Sequence, residues 1–282
     1  MHRLYLREIR SLFTSYGYPE SDAEDLFMDV LKISYSDLYM QDISLKDPQI
    51  CLLKQMIDRR INSEPIAYII GYKEFLGDIF KVTNDTLIPR PETEVLVHAL
   101  INKIKERDRD DIRILEIGTG TGCIIISMIK ILENAGYNNI SAIAIDISKP
   151  TLEVAKQNAK ELGTYDKIEF INCDMRDFVM RDFNVVVSNP PYIPSKDISS
   201  LESSVEGYEP HIALDGGIDG LDFYRDIAKY RALLNKHILG IEFGIGQGNA
   251  ILEIFADYNG KQIIKDLSHI ERVMICESSE YF

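Results

Sequence analysis

The chain has 282 residues, about two average domains, and a chain of that size buries a core without disulfide staples. Hydrophobic residues at 45 % and charged residues at 27 % exclude a disordered tail or a fibre, and Cys51, Cys123, Cys173 and Cys276 show no Cys-x-x-Cys spacing, so a reducing compartment fits and a zinc knuckle does not. Lys plus Arg total 31 against 45 for Asp plus Glu, a net charge of −14 shared by both ends of the chain, which argues against a direct nucleic-acid partner.

The start, Met1-His2-Arg3-Leu4-Tyr5-Leu6-Arg7-Glu8, is charged, and no apolar run approaches the roughly 20 residues that cross a bilayer. The longest, Cys123 to Leu132, carries Lys130, so we expect a soluble cytoplasmic protein with no membrane partner. The first 65 or so residues read as helices only. Ser21-Asp22-Ala23-Glu24 has the form of a capping box, followed by a helical face of Ala23, Leu26, Phe27, Val30 and Leu31. A second helix is expected after Asp47-Pro48, through Leu52, Met56 and Ile57 towards Asn62. Phe75-Leu76-Gly77-Asp78-Ile79-Phe80 reads as a short hairpin with a Gly-Asp turn between two domains. Pro89-Arg90-Pro91-Glu92-Thr93-Glu94 opens a further helix, continued by Val95, Leu96, Ala99 and Leu100. The mixed charges at Lys103, Lys105, Glu106, Arg107, Asp108, Arg109 and Asp110 suit a solvated helix end.

Strands and helices then alternate. Ile112 to Ile117, Ile140 to Ile145, Ile168 to Ile171, Val185 to Val187 and Ile238 to Phe243 read as strands, with helices expected from about Cys123, after Ser148-Lys149-Pro150, and over Asn249 to Ala256. Ile263-Ile264 and Val273 to Cys276 close the sheet. This pattern specifies an α/β fold with a mostly parallel sheet, whose ligands bind at the carboxyl ends of strands.

Glu116-Ile117-Gly118-Thr119-Gly120-Thr121-Gly122 stands between the first of these strands and its helix, where glycines allow a tight turn and close approach to a ligand. The spacing is neither the dinucleotide pattern G-x-G-x-x-G nor the phosphate loop G-x-x-x-x-G-K-[ST]. It suits a ribose with an amino-acid tail. Asp146, ending the second strand, is placed to accept both ribose hydroxyls. In Cys173-Asp174-Met175, Asp174 is either a helix cap or an acceptor for an exocyclic amine, and Met175 lies against a base. Gly118, Thr119, Gly120, Thr121, Gly122, Asp146 and Met175 together describe a site for S-adenosyl-L-methionine. The fourth strand runs into Asn189-Pro190-Pro191-Tyr192. Two prolines fix the backbone, and their carbonyls with the Asn189 side chain form a corner able to accept both hydrogens of a planar NH2 group while Tyr192 packs against its face. Held this way, the nitrogen lone pair is aimed at a methyl donor. The catalytic candidates are therefore Asn189, Pro190 and Tyr192, with Pro191 beside them. The five histidines show no metal-ligand spacing, so no metal is expected.

Glu116 to Gly122 with Asp146 and Asn189 to Tyr192 resembles the class I methyltransferases that act on planar nitrogen. The helical start, Ile88 to Glu94, Tyr208-Glu209-Pro210, Asp215-Gly216-Gly217 with Gly220-Leu221, and Glu271-Arg272-Val273 are similar to the HemK-type peptide chain release factor glutamine methyltransferases, over essentially the whole chain. The resemblance implies a small all-helical substrate-recognition domain (1–72), a hairpin linker (73–88) and a Rossmann-like class I methyltransferase domain (89–282). It implies methylation of the side-chain amide of the glutamine in the Gly-Gly-Gln loop of class I peptide chain release factors. It puts Gly118 to Gly122 and Asp146 on the cofactor, Asn189 on cofactor and substrate together, and Pro190, Pro191 and Tyr192 on the glutamine. Met175 departs from the aromatic residue found in many members. Arg90 and Glu92 either line the peptide groove or cap a helix, and Glu242 in Ile241-Glu242-Phe243-Gly244 is read as a buried strand-end acid. Three alternatives stand beside this reading: a ribosomal-protein glutamine methyltransferase, a DNA or RNA base methyltransferase with the same corner, and a cofactor-binding protein without catalysis. The Arg-Pro-Glu-Thr-Glu form, the acidic charge and the intact Asn-Pro-Pro-Tyr respectively argue against them. With no segment reading as an apolar patch, a monomer is expected.

Overall fold

A computed structural model of the chain describes residues 2–41, 43–107, 110–179, 183–229 and 238–277. Met1, and Asp108 and Arg109 of the mixed-charge cluster, lie outside the described residues. The chain forms two units, Met1–Tyr72 with Glu202–Tyr208, and Lys73–Leu201 with Glu209–Phe282.

The first unit holds α1 (His2–Ser15), α2 (Ser21–Leu31), α3 (Tyr35–Met40), α4 (Asp47–Ile61) and α5 (Ile66–Ile70) around Phe13, Leu26, Phe27, Leu38 and Leu53. The expected capping box at Ser21 does not form. Glu20 is already helical at φ −62°, ψ −31°, and no side chain caps the first turn. The two acids of that turn are taken by distant partners instead: Glu24 pairs with Arg10, and the buried Asp22 accepts from Arg60 Nε at 2.7 Å, with the Arg60 guanidinium 3.7 Å from the Tyr18 ring centre. A capping box forms instead at Ser34 and Asp37, at the start of the short helix α3. In α4 the buried stripe is Leu53, Met56, Ile57 and Arg60, one residue out of phase with the expected Leu52, which is 46 % exposed.

The second unit begins with the hairpin of β1 (Tyr72–Phe75) and β2 (Asp78–Lys81). Its turn is Leu76-Gly77, with φ +50° and +81°, one position before the expected Gly-Asp. Asp78 belongs to β2, and Lys130 pairs with its carboxylate. Phe75 and Phe80 meet edge to face and are buried among Leu96, Val97 and Leu100, so the hairpin packs into this unit. Then come α6 (Thr93–Lys105), β3 (Asp111–Ile117), α7 (Cys123–Asn134), β4 (Asn139–Asp146), α8 (Lys149–Glu161), β5 (Ile168–Asn172), β6 (Val185–Ser188), α9 (Ser203–Glu206, in the first unit), α10 (Asp222–Lys229), β7 (Ile238–Glu242), α11 (Gly248–Ile254), β8 (Asn259–Lys265) and β9 (Glu271–Glu277). Ser148 caps α8 by accepting from the Thr151 amide, with Pro150 in the first turn as expected.

The sheet order is β5-β4-β3-β6-β7-β9-β8, parallel throughout except for β9, which runs against both neighbours. Strand residues alternate between two cores. Ile112, Ile114, Val185 and Val187 face α6 and α7, while Leu115, Ile117, Val186 and Leu239 face α10 and α11. From β3 the chain moves outward to β4 and β5, then returns to β6 on the other side. That reversal opens a crevice at the carboxyl ends of β3, β4 and β6. Among the described residues, no helix is long and apolar enough to cross a membrane.

Candidate active site

After β3 the backbone turns sharply into α7, with φ of +72°, +57° and +80° at Gly118, Gly120 and Gly122. The Gly118 and Thr119 amides donate to the Ile145 carbonyl at 2.9 and 3.1 Å, tying the turn to β4. A Cβ built at Gly118 or Gly120 meets no atom within 4 Å, so both open onto free space that a ligand can use. Gly122 has another reason to be glycine. A Cβ there comes within 2.9 Å of Ile126 Cδ1 and 3.4 Å of Ala155 Cβ, so it lets α7 pack on α8, and it is absent from the cavity wall.

A cavity of about 270 Å³ lies at these strand ends. Gly118, Thr119, Gly120, Thr121, Asp146 and Met175 line it on one side, and Asn189, Pro190 and Pro191 on another. The two groups of residues singled out in the sequence thus meet in one space. Tyr192 does not reach the wall; its ring packs against the core beneath, where burial pushes its hydroxyl up to about 12. Residues that sequence reasoning passed over also line the cavity, notably Thr93, Ile147, Ile212 and Phe223. Ile147 carried a usable signal in the sequence, an apolar residue immediately after the strand-end acid, and in the fold its side chain is 51 % exposed.

Asp146 accepts from the Gly120 amide at 3.1 Å and the Ser148 amide at 2.9 Å, which leaves lone pairs for further donors. Burial raises its pKa from the ordinary value, and the two amides oppose that. An acceptor of this kind, beside glycines that leave room for a ligand and an apolar wall of Ile147 and Met175, fits an adenosyl group. Asp174 lines the cavity, but its carboxylate caps the turn Met175–Asp177 and is held by Arg176 Nε at 2.9 Å, which lowers its pKa. Behind the glycine turn, Glu116 is wholly buried. Thr119 donates to it, its Oε1 has no partner, and burial pushes its carboxyl up to about 8.

The Asn-Pro-Pro-Tyr corner is braced from several sides. Ser188 Oγ donates to the Ile117 carbonyl at 2.7 Å, fixing the end of β6 to the end of β3. Gln247 Nε2 donates to the carbonyls of Tyr192 and Gly220 at 3.0 and 3.2 Å, while its Oε1 accepts from the Gly244 amide. Gly216 lies so close that a Cβ there comes within 2.8 Å of the Pro191 carbonyl oxygen and Tyr192 Cα. The Asp215-Gly216-Gly217 loop is therefore a bed for the corner. Asn189 Nδ2 donates to Thr93 Oγ1 at 3.2 Å, and the Thr93 and Asn189 side chains both favour the charged form of the neighbouring Glu242 carboxyl. Glu242 is 1 % exposed, and burial pushes it up to about 7. Arg90 lines the cavity and pairs with the buried Glu209, whose Oε2 also accepts from the Ile88 amide. Glu92 stands at the N-cap of α6 without a side-chain cap bond and off the cavity wall.

Residues 5–71 match the PrmC N-terminal domain, and residues 108–207 match a methyltransferase domain. The chain is 35 % identical over 280 residues to a release factor glutamine methyltransferase of Thermodesulfovibrio yellowstonii, covering 98 % of each chain. It is also 35 % identical over 275 residues to one of Bacillus cereus, covering 91 % of this chain and 95 % of the relative. Among solved structures, the hMettl16 catalytic domain in complex with the MAT2A 3′UTR hairpin 6 is similar in fold, with a TM-score of 0.55 at 16 % identity over 85 % of each chain. Likeness at that level extends to the fold, whereas identity across nearly the full length of two relatives extends further, and by it the chain belongs to the release factor glutamine methyltransferase family.

Proposed function

We propose that the chain transfers the methyl group of S-adenosyl-L-methionine to the side-chain amide nitrogen of the glutamine in the Gly-Gly-Gln loop of class I peptide chain release factors. One observation carries the reading: the Gly118–Thr121 turn with Asp146 and the Asn189–Pro191 corner line the same cavity. Bound there, S-adenosylmethionine supplies a methyl group made electrophilic by its sulfonium. Asp146 accepts the ribose hydroxyls, Met175 and Ile147 cover the base, and the glycine turn leaves room for the amino-acid tail. An amide nitrogen is a poor nucleophile because its lone pair is shared with the carbonyl. Asn189 and the Pro190 carbonyl hold its two hydrogens and so fix the direction of that lone pair, while the apolar wall keeps water away. As the nitrogen gains the methyl carbon the carbon–sulfur bond breaks to leave S-adenosylhomocysteine, and the proton shed by the methylated amide passes to solvent. Pro191 holds the backbone of the corner, and Tyr192 supports it from below.

The helical unit is assigned the recognition of the protein substrate, and the enzyme acts as a monomer with no direct nucleic-acid contact. The net charge of −14 supports the choice of a protein over a nucleic-acid base. A single assay tests substrate and residue together. Labelled S-adenosylmethionine is offered with an intact release factor, the same factor with its loop glutamine changed to alanine, a peptide carrying only the loop, and bulk tRNA, rRNA and DNA. Label is expected in the intact factor, with a lower kcat/KM for the peptide and none in the altered factor. Label in nucleic acid alone would overturn the substrate, and equal use of peptide and factor would remove recognition from the helices.

A further inference from the structure

The Asn189 side chain poses a problem of polarity. Its amide has two nearly isosteric orientations, one offering an oxygen to the cavity and the other an NH2. Only the oxygen can accept from a substrate NH2 group; the other orientation sets donors against donors. Nothing within Asn189-Pro190-Pro191-Tyr192 chooses between them.

We infer that Thr93 and Glu242 lock the Asn189 amide with its Nδ2 turned away from the substrate and its Oδ1 towards it. The two residues come from different elements, Thr93 from the first turn of α6 and Glu242 from the end of β7. Thr93 and Asn189 line the cavity and Glu242 stands behind them, so Glu242 acts through the other two and is a positioning residue. An ionised carboxylate has no hydrogen to give, so the Thr93 hydroxyl donates to Glu242 and keeps only lone pairs for Asn189. Asn189 meets that oxygen with its Nδ2, at 3.2 Å. The chain of donation runs one way, from Asn189 to Thr93 to Glu242, and flipping the amide breaks it. Glu242 Oε2 is buried without a partner, an arrangement that costs stability and that a purely structural strand end has no reason to keep.

Ionisation of Glu242 is what makes the lock one-way, so its surroundings matter. Arg272 of β9 favours the carboxylate and Glu92, ahead of α6, opposes it. Tyr192, Tyr224 of α10 and Cys123 of α7 also face it, each with its pKa raised by burial. Burial of Glu242 itself places the change near pH 7. Below that pH the protonated carboxyl can donate to Thr93, which then donates to Asn189, and the other orientation becomes available.

The inference rests on the methyl-transfer reading of the corner, and the test separates the two. Full-length Asn189→Ala, Thr93→Val, Thr93→Ser and Glu242→Gln are compared with the wild type for methylation of intact release factor between pH 5.5 and 9 and for calorimetric binding of S-adenosylhomocysteine. A glutamine at 242 can donate to Thr93 and so permits both orientations. Thr93→Val and Glu242→Gln are expected to lose on the order of ten- to a hundredfold in kcat, with binding of S-adenosylhomocysteine within about twofold of wild type. Thr93→Ser, which keeps the hydroxyl, is expected to restore most of the rate. The wild-type fall in kcat below about pH 7 is expected to vanish in Glu242→Gln. Wild-type kcat in Thr93→Val and Glu242→Gln beside a dead Asn189→Ala overturns the lock and leaves the corner standing; an acid limb unmoved in Glu242→Gln also overturns it. Full turnover in Asn189→Ala removes the corner reading and the lock with it. If Glu242→Gln does not fold, the contrast between Thr93→Val and Thr93→Ser decides alone.

Discussion

At Asp146 a single carboxylate serves two masters, the backbone and the ligand. It accepts from the Gly120 and Ser148 amides, and it lines the cavity. Asp146→Ala is expected to weaken binding of S-adenosylhomocysteine by at least about tenfold, since a charged hydrogen bond contributes roughly 1.5–3 kcal/mol. Calorimetric titration checks this, and unchanged affinity would take the ribose away from Asp146. Residues such as this were legible because the signal was local: a strand, three glycines and a strand-end acid at fixed spacing. The roles of Gly122 and Tyr192 were not. Gly122 looks like its neighbours in sequence and is set apart only by Ala155 of α8, and the core against which Tyr192 packs is announced by no local pattern. Thr93 and Glu242 lie far from Asn189 along the chain, and no spacing rule joins them.

Elements were legible where caps and apolar periods agree, and misplaced where a distant partner intervenes. Ser148 with Pro150 starts α8 as its sequence dictates. Ser21-Asp22-Ala23-Glu24 has equally good capping chemistry, yet Arg60 and Arg10 take its acids. A buried pair of this kind is costly to break because the survivor is left charged in an apolar setting. Asp22→Ala is therefore expected to destabilise the helical unit by about 3–5 kcal/mol. Urea unfolding followed by circular dichroism measures it, and a loss below about 1 kcal/mol, the range of an exposed pair, would show that the burial does not matter. The hairpin's existence is written in Phe75 to Phe80, but its turn sits at Leu76-Gly77, and Asp78 stands in β2 paired with Lys130.

For the molecule as a whole, two buried acids set how stability varies with pH. Burial pushes Glu116 up to about 8 and Glu242 up to about 7 from an ordinary value of 4.5. Between about pH 4.5 and 8 the folded chain therefore holds protons that the unfolded chain has lost. Stability contributed by each group is complete below 4.5 and drains away as the pH rises, by at most about 1.4 kcal/mol per pH unit per group. Carboxylates held low by partners, such as Asp174 and Asp215, titrate below this window. Tm is expected to be higher at pH 5.5 than at pH 8, and Glu116→Gln is expected to flatten the upper part of the profile. A Tm that climbs across this range would contradict the assignment of both acids.

The position of β9 has a consequence for how the molecule is made. It is the last strand among the described residues, yet it sits inside the sheet, between β7 and β8. Until it arrives, β7 and β8 each present a bare edge, and such edges invite pairing with other chains. Arg272, the cation facing Glu242, arrives with it, as does the Arg272 carbonyl that receives the Phe243 amide. A chain clipped before Glu271 therefore keeps its glycine turn and its Asn-Pro-Pro-Tyr corner but loses the strand that closes the sheet behind them.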